Sequence, residues 1–262
     1  YFTPITNPAE LADENVENSI LGVIPFITES DKEKFESSCE SLILNLMKII
    51  DSRKTESSNI VALTSALPSN GKTTISSNLA QALSDLNKKV LLIDCDFKRG
   101  NIHDLHKINK ISEADFKSLD TSNLERFKVK ENLYIIPRIS KLRSSFNYIN
   151  DPKNIEIMKR VFSEFDHVII DTAPILAVAD TGIILSLADI RLLVVRHNMT
   201  RINQIKQAIS IANQIGIDFD GILYNAYSKP KGYYGYYGAY QNYEYQYYAD
   251  KYLYEKYDYE RD

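Results

Sequence analysis

A chain of 262 residues, 44% of them hydrophobic, has room for one domain of about 200 residues with its own core, plus appendages. A formal net charge of −4 excludes a whole-chain basic bias towards nucleic acid, and the absence of any run of about 18 apolar residues excludes a bilayer span within this stretch. Two cysteines, Cys39 and Cys95, far apart and without metal-ligand spacing, argue against a disulfide scaffold and for a reducing compartment.

Residues 1–30 read as a leader: "TPITNPAELADENVENS" is polar with two prolines, and "ILGVIPFI" suits a short strand or an extended segment lying on a core. No basic-then-apolar signal peptide opens it. Residues 31–51 predict a helix with Phe35, Leu42, Leu46 and Ile49 on one face, followed by the linker "SRKTESSN". From there strands and helices alternate. Apolar runs at 60–65, 89–96, 132–138, 167–174, 190–196 and 219–225 predict strands, and 72–87, 152–165, 176–188 and 201–215 predict helices. Strands apolar on both faces, separated by amphipathic helices, imply an α/β fold with a mostly parallel sheet covered on both sides. Residues 100–131 are polar and weakly periodic, as short helices and loops would be. The end is compositionally distinct: thirteen of the eighteen tyrosines lie between Gly232 and Asp262, in "GYYGYYGAYQNYEYQYYADKYLYEKYDYERD". That stretch lacks the period of a packed element and reads as a flexible tail, 228–262, behind a domain at 31–227.

The first chemical signal is "SALPSNGKTT", placed between a strand and a helix. From Gly71 onward it fits G-x-x-x-x-G-K-[ST], with Gly71, Lys72 and Thr73 in place and Ala66 at the first glycine position. Such a loop offers backbone N–H groups and a helix N-terminus to phosphate oxygens. Ser69, Asn70, Gly71, Lys72, Thr73 and Thr74 are therefore candidate nucleotide contacts; Lys72 suits the β- and γ-phosphates and the Thr73 hydroxyl suits Mg²⁺. The fold class sharpens to a P-loop NTPase-type, mostly parallel sheet with helices on both faces and a Tyr-rich tail. Two more acidic positions follow strands, Asp94 and Asp96 in "LLIDCDFKRG" and Asp171 in "VIIDTAP". In an open α/β sheet ligands bind beyond the carboxyl ends of the strands, so these groups converge with Lys72. Asp171 and Asp94 are candidate Mg²⁺ ligands alongside Thr73. Asp94 and Asp96, two apart, face opposite ways on a regular strand and take different tasks, one of them orienting or deprotonating a hydroxyl.

The combination resembles the bacterial tyrosine kinases, specifically the cytoplasmic kinase domain of Wzc-like polysaccharide co-polymerases. "PSNGKT" resembles their Walker A, "LLIDCDFKRG" their Walker A′, "VIIDTAPILAVAD" their Walker B and the turn after it, and the tyrosine cluster their autophosphorylated tail. The resemblance covers roughly 31–262. It implies ATP and Mg²⁺ as cofactors and phosphorylation of tail tyrosines in trans between neighbouring copies in a ring. It also implies a transmembrane co-polymerase segment before this domain, a cognate phosphatase, and a place at the cytoplasmic face of the inner membrane, regulating capsule or exopolysaccharide export. The implied phosphoacceptors are Tyr243, Tyr245, Tyr247, Tyr248, Tyr252, Tyr254, Tyr257 and Tyr259. Lys72, Asp94 and Asp96 are the implied catalytic set, and no nucleic-acid partner is implied. Two stretches depart from the family pattern. The E-x-x-R-x-x-R ring helix would fall at Glu36, Cys39 and Leu42, without either arginine, and the P-P-N-P-x-E loop reads "SFNYINDPKNIE".

Two other readings stay open. The fold also hosts ParA/MinD-type ATPases, whose extra loop lysine would stand at Leu67, and a non-catalytic scaffold with a sticky tail would need no chemistry at all. Elsewhere, His103 and His106 read as solvated loop histidines, His167 as a strand boundary, and Arg191, Arg196 and Arg201 as solvated strand ends and helix starts. Asn225, ending the last strand, is a candidate for the adenine edge. Asp180 reads as a helix cap, and "SKPKG" as a linker carrying two lysines into the tail.

Overall fold

The computed structural model describes residues 3–8, 10–11, 20–26, 32–53 and 59–228. Among these, the apolar runs pair into one sheet. Its strands are β1 (Ile20–Pro25), β2 (Asn59–Ser65), β3 (Val90–Cys95), β4 (Lys128–Lys130), β5 (Leu133–Ile136), β6 (His167–Thr172), β7 (Ile190–Arg196) and β8 (Gly221–Tyr227). Their order is β1-β8-β7-β2-β6-β3-β5-β4. Neighbours run parallel except the edge pair β4–β5. Parallel strands need crossover connections, which the helices supply. These are α1 (Lys32–Arg53), α2 (Lys72–Asp85), the short α3 (Ile102–Leu105), α4 (Glu113–Lys117) and α5 (Ser145–Ile149), then α6 (Pro152–Phe162), α7 (Asp180–Leu185) and α8 (Ile202–Gln214).

The period of two along each strand sorts side chains into two cores. Val61 and Leu63 of β2, Leu92 of β3, Ile169 of β6 and Val194 of β7 pack with Leu42 and Leu46 of α1 and Ile75, Leu79 and Leu83 of α2. Ala62, Leu91, Ile93, Val168, Ile170 and Leu193 point the other way, against Met158 and Phe162 of α6, Leu185 of α7 and Ala208 and Ala212 of α8. Each fully buried Leu or Ile contributes about 1.5–3 kcal/mol of transfer free energy, so both faces of the central strands favour this packing.

The expected helix over 176–188 shrinks to α7. Ile175 N–H bonds the Ser65 carbonyl at 2.9 Å, and the Ala173 carbonyl accepts from Thr64 Oγ1 at 2.9 Å and Thr181 Oγ1 at 3.1 Å, so this stretch serves the end of β2 first. Asp180 is the first residue of α7, is buried, and makes no cap; Ala179 holds the N-cap position without a side-chain bond. Inside 100–131 the edge strand β4 appears, which "KVK" alone does not announce. Near the start of the chain, Ile5 and Leu11 are buried in the same core as β6 and β7, and Ile5 N–H bonds the Thr200 carbonyl at 2.9 Å. The chain divides into two compact units, Tyr1–Tyr227 and Ser228–Asp262; of the second, only Ser228 is described.

Candidate active site

β2 sits in the middle of the sheet, and its carboxyl end delivers the chain into the loop 66–71 and then α2. The loop turns through two left-handed residues, Ser69 at φ 65° and Gly71 at φ 89°. Gly71 is needed twice: its φ favours glycine, and a Cβ there would run into the Asn225 side-chain amide. Gly71 is the N-cap of α2 and has no side chain to occupy the first-turn N–H groups, which leaves the positive end of a 14-residue helix at the loop.

Lys72 opens α2 but is only 7% exposed, and its Nζ bonds Ser65 Oγ at 3.0 Å. Burial pulls its pKa down; the charges of Asp171 and then Asp96 push it back up. Thr73 Oγ1 donates to Asp171 Oδ2 at 2.6 Å, joining the start of α2 to the end of β6. Asp171 lies directly across from Asp94 in the β6–β3 register, so two buried carboxylates stand side by side. Burial is the main cause that raises both, Asp94 to about 8 with Asp171 adding to it, and Asp171 to about 6 against the lowering effects of Lys72 and Thr73.

Asp94 and Asp96 do differ in task. Asp94 Oδ1 accepts from Asp96 N–H at 3.1 Å and Oδ2 from Ile102 N–H at 3.2 Å. It is clamped inside the turn after β3. Asp96, half-buried, heads that turn: Oδ1 accepts from Arg99 N–H at 2.8 Å and Lys98 N–H at 3.3 Å. Gly100 closes it, and a Cβ there would collide with the Asp94 carboxylate.

Asn70 is buried, with Nδ2 3.3 Å from the Val194 carbonyl. Asn225 directs its Nδ2 not to open space but to the Asn70 carbonyl, at 2.8 Å. Ser69 and Thr74 are exposed at the loop's rim. Two arginines to which the sequence assigns no role in the site join the neighbourhood. Arg196 Nη1 reaches the Ser69 carbonyl at 2.7 Å, so it is no solvated strand end, and Arg138, after β5, donates from Nη1 to the Phe97 carbonyl at 3.1 Å. No sequence signal marks either, because each contact is made across strands distant in the chain.

Other expectations are corrected. His103 is buried rather than solvated, its Nε2 3.3 Å from Asp104 Oδ2, and His106 Nε2 pairs with Ser77 Oγ at 3.2 Å. Arg191 bonds the Leu185 carbonyl through Nε at 3.0 Å. Leu42, where the family ring helix carries an arginine, is buried against the sheet. The side chains of Glu36 and Cys39 and the tail tyrosines from Tyr243 to Tyr259 lie outside the described residues.

The donor set suits a hard divalent cation bound with a nucleotide. Thr73 and Asp171 offer oxygens, and Asp171 Oδ1 is buried without a hydrogen-bond partner. Among the described residues no three His, Cys, Asp or Glu side chains gather as a cage, so phosphate oxygens would have to complete the shell, as Mg²⁺ ordinarily requires.

Residues 58–219 match a protein-family model described as an AAA domain. The chain is 32% identical over 194 residues to the tyrosine-protein kinase Wzc of Salmonella typhimurium, an alignment covering 72% of this chain and 26% of that protein. It is also 32% identical over 194 residues to the tyrosine-protein kinase CpsD of Streptococcus pneumoniae, covering 70% of this chain and 83% of that protein. The structure of the BceF tyrosine kinase domain shares the fold, with a TM-score of 0.72 at 24% identity, covering 86% of this chain and all of that one. The match thus spans about a quarter of Wzc and most of CpsD.

Proposed function

The chain belongs to the bacterial tyrosine-protein kinase family, and from that premise we propose that it is a Mg-ATP-dependent autokinase that phosphorylates its own tyrosine tail in trans. The observation that carries this reading is the meeting of Lys72, Thr73, Asp171 and Asp94 at the carboxyl ends of the central strands, in a chain whose stretch from Gly232 to Asp262 carries thirteen tyrosines. The unit up to Tyr227 does the chemistry, with the leader at 1–30 supplying β1 to its sheet, and the tail at 228–262 is the substrate.

Asn70, Gly71 and the start of α2 bind the phosphates through backbone N–H groups. Lys72 neutralises charge on the β–γ bridge; buried and already close to Ser65, it is pre-positioned and loses little freedom on binding. Thr73 and Asp171 would hold Mg²⁺, with Asp94 beside them; when bound, the ion would supply positive charge against the phosphate oxygens. A tail phenol, ordinarily of pKa about 10, attacks the γ-phosphorus, the bond to the β–γ bridging oxygen breaks, and ADP leaves. Asp96, the less buried of the pair and already held by its turn, takes the phenol proton. Asp94, whose two oxygens are engaged by backbone amides, is the positioning partner.

The resemblance to Wzc-like co-polymerase kinases further implies a role in capsule or exopolysaccharide systems, at the cytoplasmic face of the inner membrane, beside a transmembrane co-polymerase segment and a cognate phosphatase. No helix among the described residues is long and apolar enough to cross a membrane. Phosphotyrosine adds roughly −1.5 to −2 charge per site. From Tyr233 onward the tail already has six acidic residues against three basic, so phosphorylation drives neighbouring copies apart.

The test is phosphotyrosine formation with Mg-ATP, mapped by mass, in wild type and in Lys72→Met. Label on several of Tyr243–Tyr259 in wild type and none in the variant is the expected result. ATP consumption by wild type without any phosphotyrosine would replace the kinase reading with a ParA/MinD-like ATPase.

A further inference from the structure

The phosphate-binding loop is held from outside by the ends of two strands. Arg196, the last residue of β7, donates from Nη1 to the Ser69 carbonyl at 2.7 Å, and Asn225 of β8 donates from Nδ2 to the Asn70 carbonyl at 2.8 Å. The Asn70 side chain returns a bond to the Val194 carbonyl, 3.3 Å away on β7. These carbonyls belong to consecutive peptides at the sharpest part of the loop, where Ser69 and Gly71 have φ 65° and 89°.

Peptide planarity gives the contacts a consequence. In a trans peptide the C=O and the following N–H point in opposite directions. A carbonyl drawn towards β7 or β8 therefore turns the next N–H away from those strands. The Arg196 contact fixes the N–H of Asn70 in this way, and the Asn225 contact fixes the N–H of Gly71. The segment bearing Arg196 is itself fixed. Its backbone N–H bonds Thr200 Oγ1 at 2.9 Å, and the leader brackets the same turn, with Asn198 N–H bonding the Ile5 carbonyl at 2.7 Å. Tyr224, next to Asn225, donates to the Ile5 carbonyl at 3.2 Å.

We propose that Arg196 and Asn225 are positioning residues that set the amides of Asn70 and Gly71 for phosphate, and that neither reads the base. The inference rests on the nucleotide-binding role proposed above and deepens it. Without the clips, a loop carrying two left-handed residues must be ordered by the nucleotide itself, so affinity falls while the bound complex reacts as before.

The experiment titrates the full chain with fluorescent Mg-ADP and Mg-GDP and follows phosphotyrosine formation at saturating ATP. Arg196→Ala and Asn225→Ala each weaken both nucleotides by about ten-fold, the worth of one good hydrogen bond. The ADP-to-GDP ratio and kcat stay at the wild-type value. Arg196→Lys, which keeps a donor, recovers part of the loss. Arg160→Ala is the matched control, since Arg160 also donates to a backbone carbonyl, that of Leu119 at 2.9 Å, away from the loop; it leaves nucleotide affinity unchanged. A loss for ADP but not GDP in Asn225→Ala would make Asn225 a base reader and overturn the proposal. So would variants that bind both nucleotides as tightly as wild type. A wild-type chain that binds neither nucleotide overturns the function itself, a different result from unaffected variants of a binding protein.

Discussion

Gly100→Ala tests whether the turn after β3 is held as tightly as its contacts imply. The backbone of Gly100 lies against the Asp94 carboxylate, and an added Cβ would sit 2.5 Å from Asp94 Cγ and closer still to both oxygens. Asp94 is 1% exposed and bonded to two backbone amides, so it cannot swing into water as a surface side chain would. Overpacking costs about 1–3 kcal/mol. Losing one amide bond to a buried carboxyl adds about 1–3 kcal/mol, and stiffening the unfolded chain returns about 0.4–1 kcal/mol. The net loss is about 1–6 kcal/mol, centred near 3, which for a domain of this size lowers Tm by roughly 6–12 °C at that centre. Nucleotide affinity and kinase activity fall with it, because Asp96 and Asp94 share that turn. Thermal denaturation with and without Mg-ADP measures both effects. Gly216→Ala separates sterics from backbone strain: Gly216 has φ 73° and open space, with nothing within 4 Å of an added Cβ, so the substitution costs only about 1–2 kcal/mol for the left-handed conformation. A Gly100→Ala protein melting within about 2 °C of wild type and binding nucleotide normally would refute the packing argument. Gly100 has no left-handed φ, so a loss there no larger than that at Gly216 would show that the Asp94 contact relaxes at little cost.

Thr73→Val keeps the shape but leaves Asp171 Oδ2 without its 2.6 Å donor, beside an Oδ1 that already lacks one; Mg²⁺-dependent nucleotide binding should weaken by about ten-fold, with a much smaller change in chelator, as read by titration. Tyr148 Oη is buried without a hydrogen-bond partner, so Tyr148→Phe should leave the urea midpoint unchanged or raise stability by up to about 1 kcal/mol, and a clear loss would show that the hydroxyl is satisfied. Two pH terms of opposite sign should appear in urea denaturation without metal or nucleotide. Burial lowers the His167 pKa, so the folded state binds fewer protons than the unfolded one; its contribution is present above the ordinary value of 6.5 and is lost as pH falls below it, and His167→Gln should remove that loss. Burial raises Asp94 to about 8, so its contribution is present at low pH and is lost as pH rises from about 4 to about 8; Asp94→Asn should flatten that fall.

Much of this molecule was legible because its signals are local. A strand apolar on both faces reads the same wherever it sits, and β2, β3, β6 and β7 appear at or within a residue or two of the apolar runs that announce them. "NGKTT" after a strand is equally local: the left-handed Gly71, the helix start at Lys72 and the Thr73 hydroxyl all lie within three residues. The misreadings come from contacts made at a distance. The Ala173 carbonyl bonds Thr64 and Thr181, so the segment after β6 is spent on closing the sheet edge instead of extending α7. His103 reads as solvated because its neighbours are polar, yet the packing of α3 buries it.

By itself, the sequence determined the alternation of strands and helices, the identity of the phosphate loop and the acidic residues that end β3 and β6, because period, glycine placement and strand ends are properties of short stretches. Only the tertiary structure decided who holds whom. It set Asp94 across from Asp171, sent Asp94 inward while Asp96 heads a turn, and turned Asn225 and Arg196 onto the carbonyls of the loop. The cross-strand pairings among these join residues 77 to 155 positions apart, and nothing in the order of side chains along a strand specifies which other strand will lie beside it.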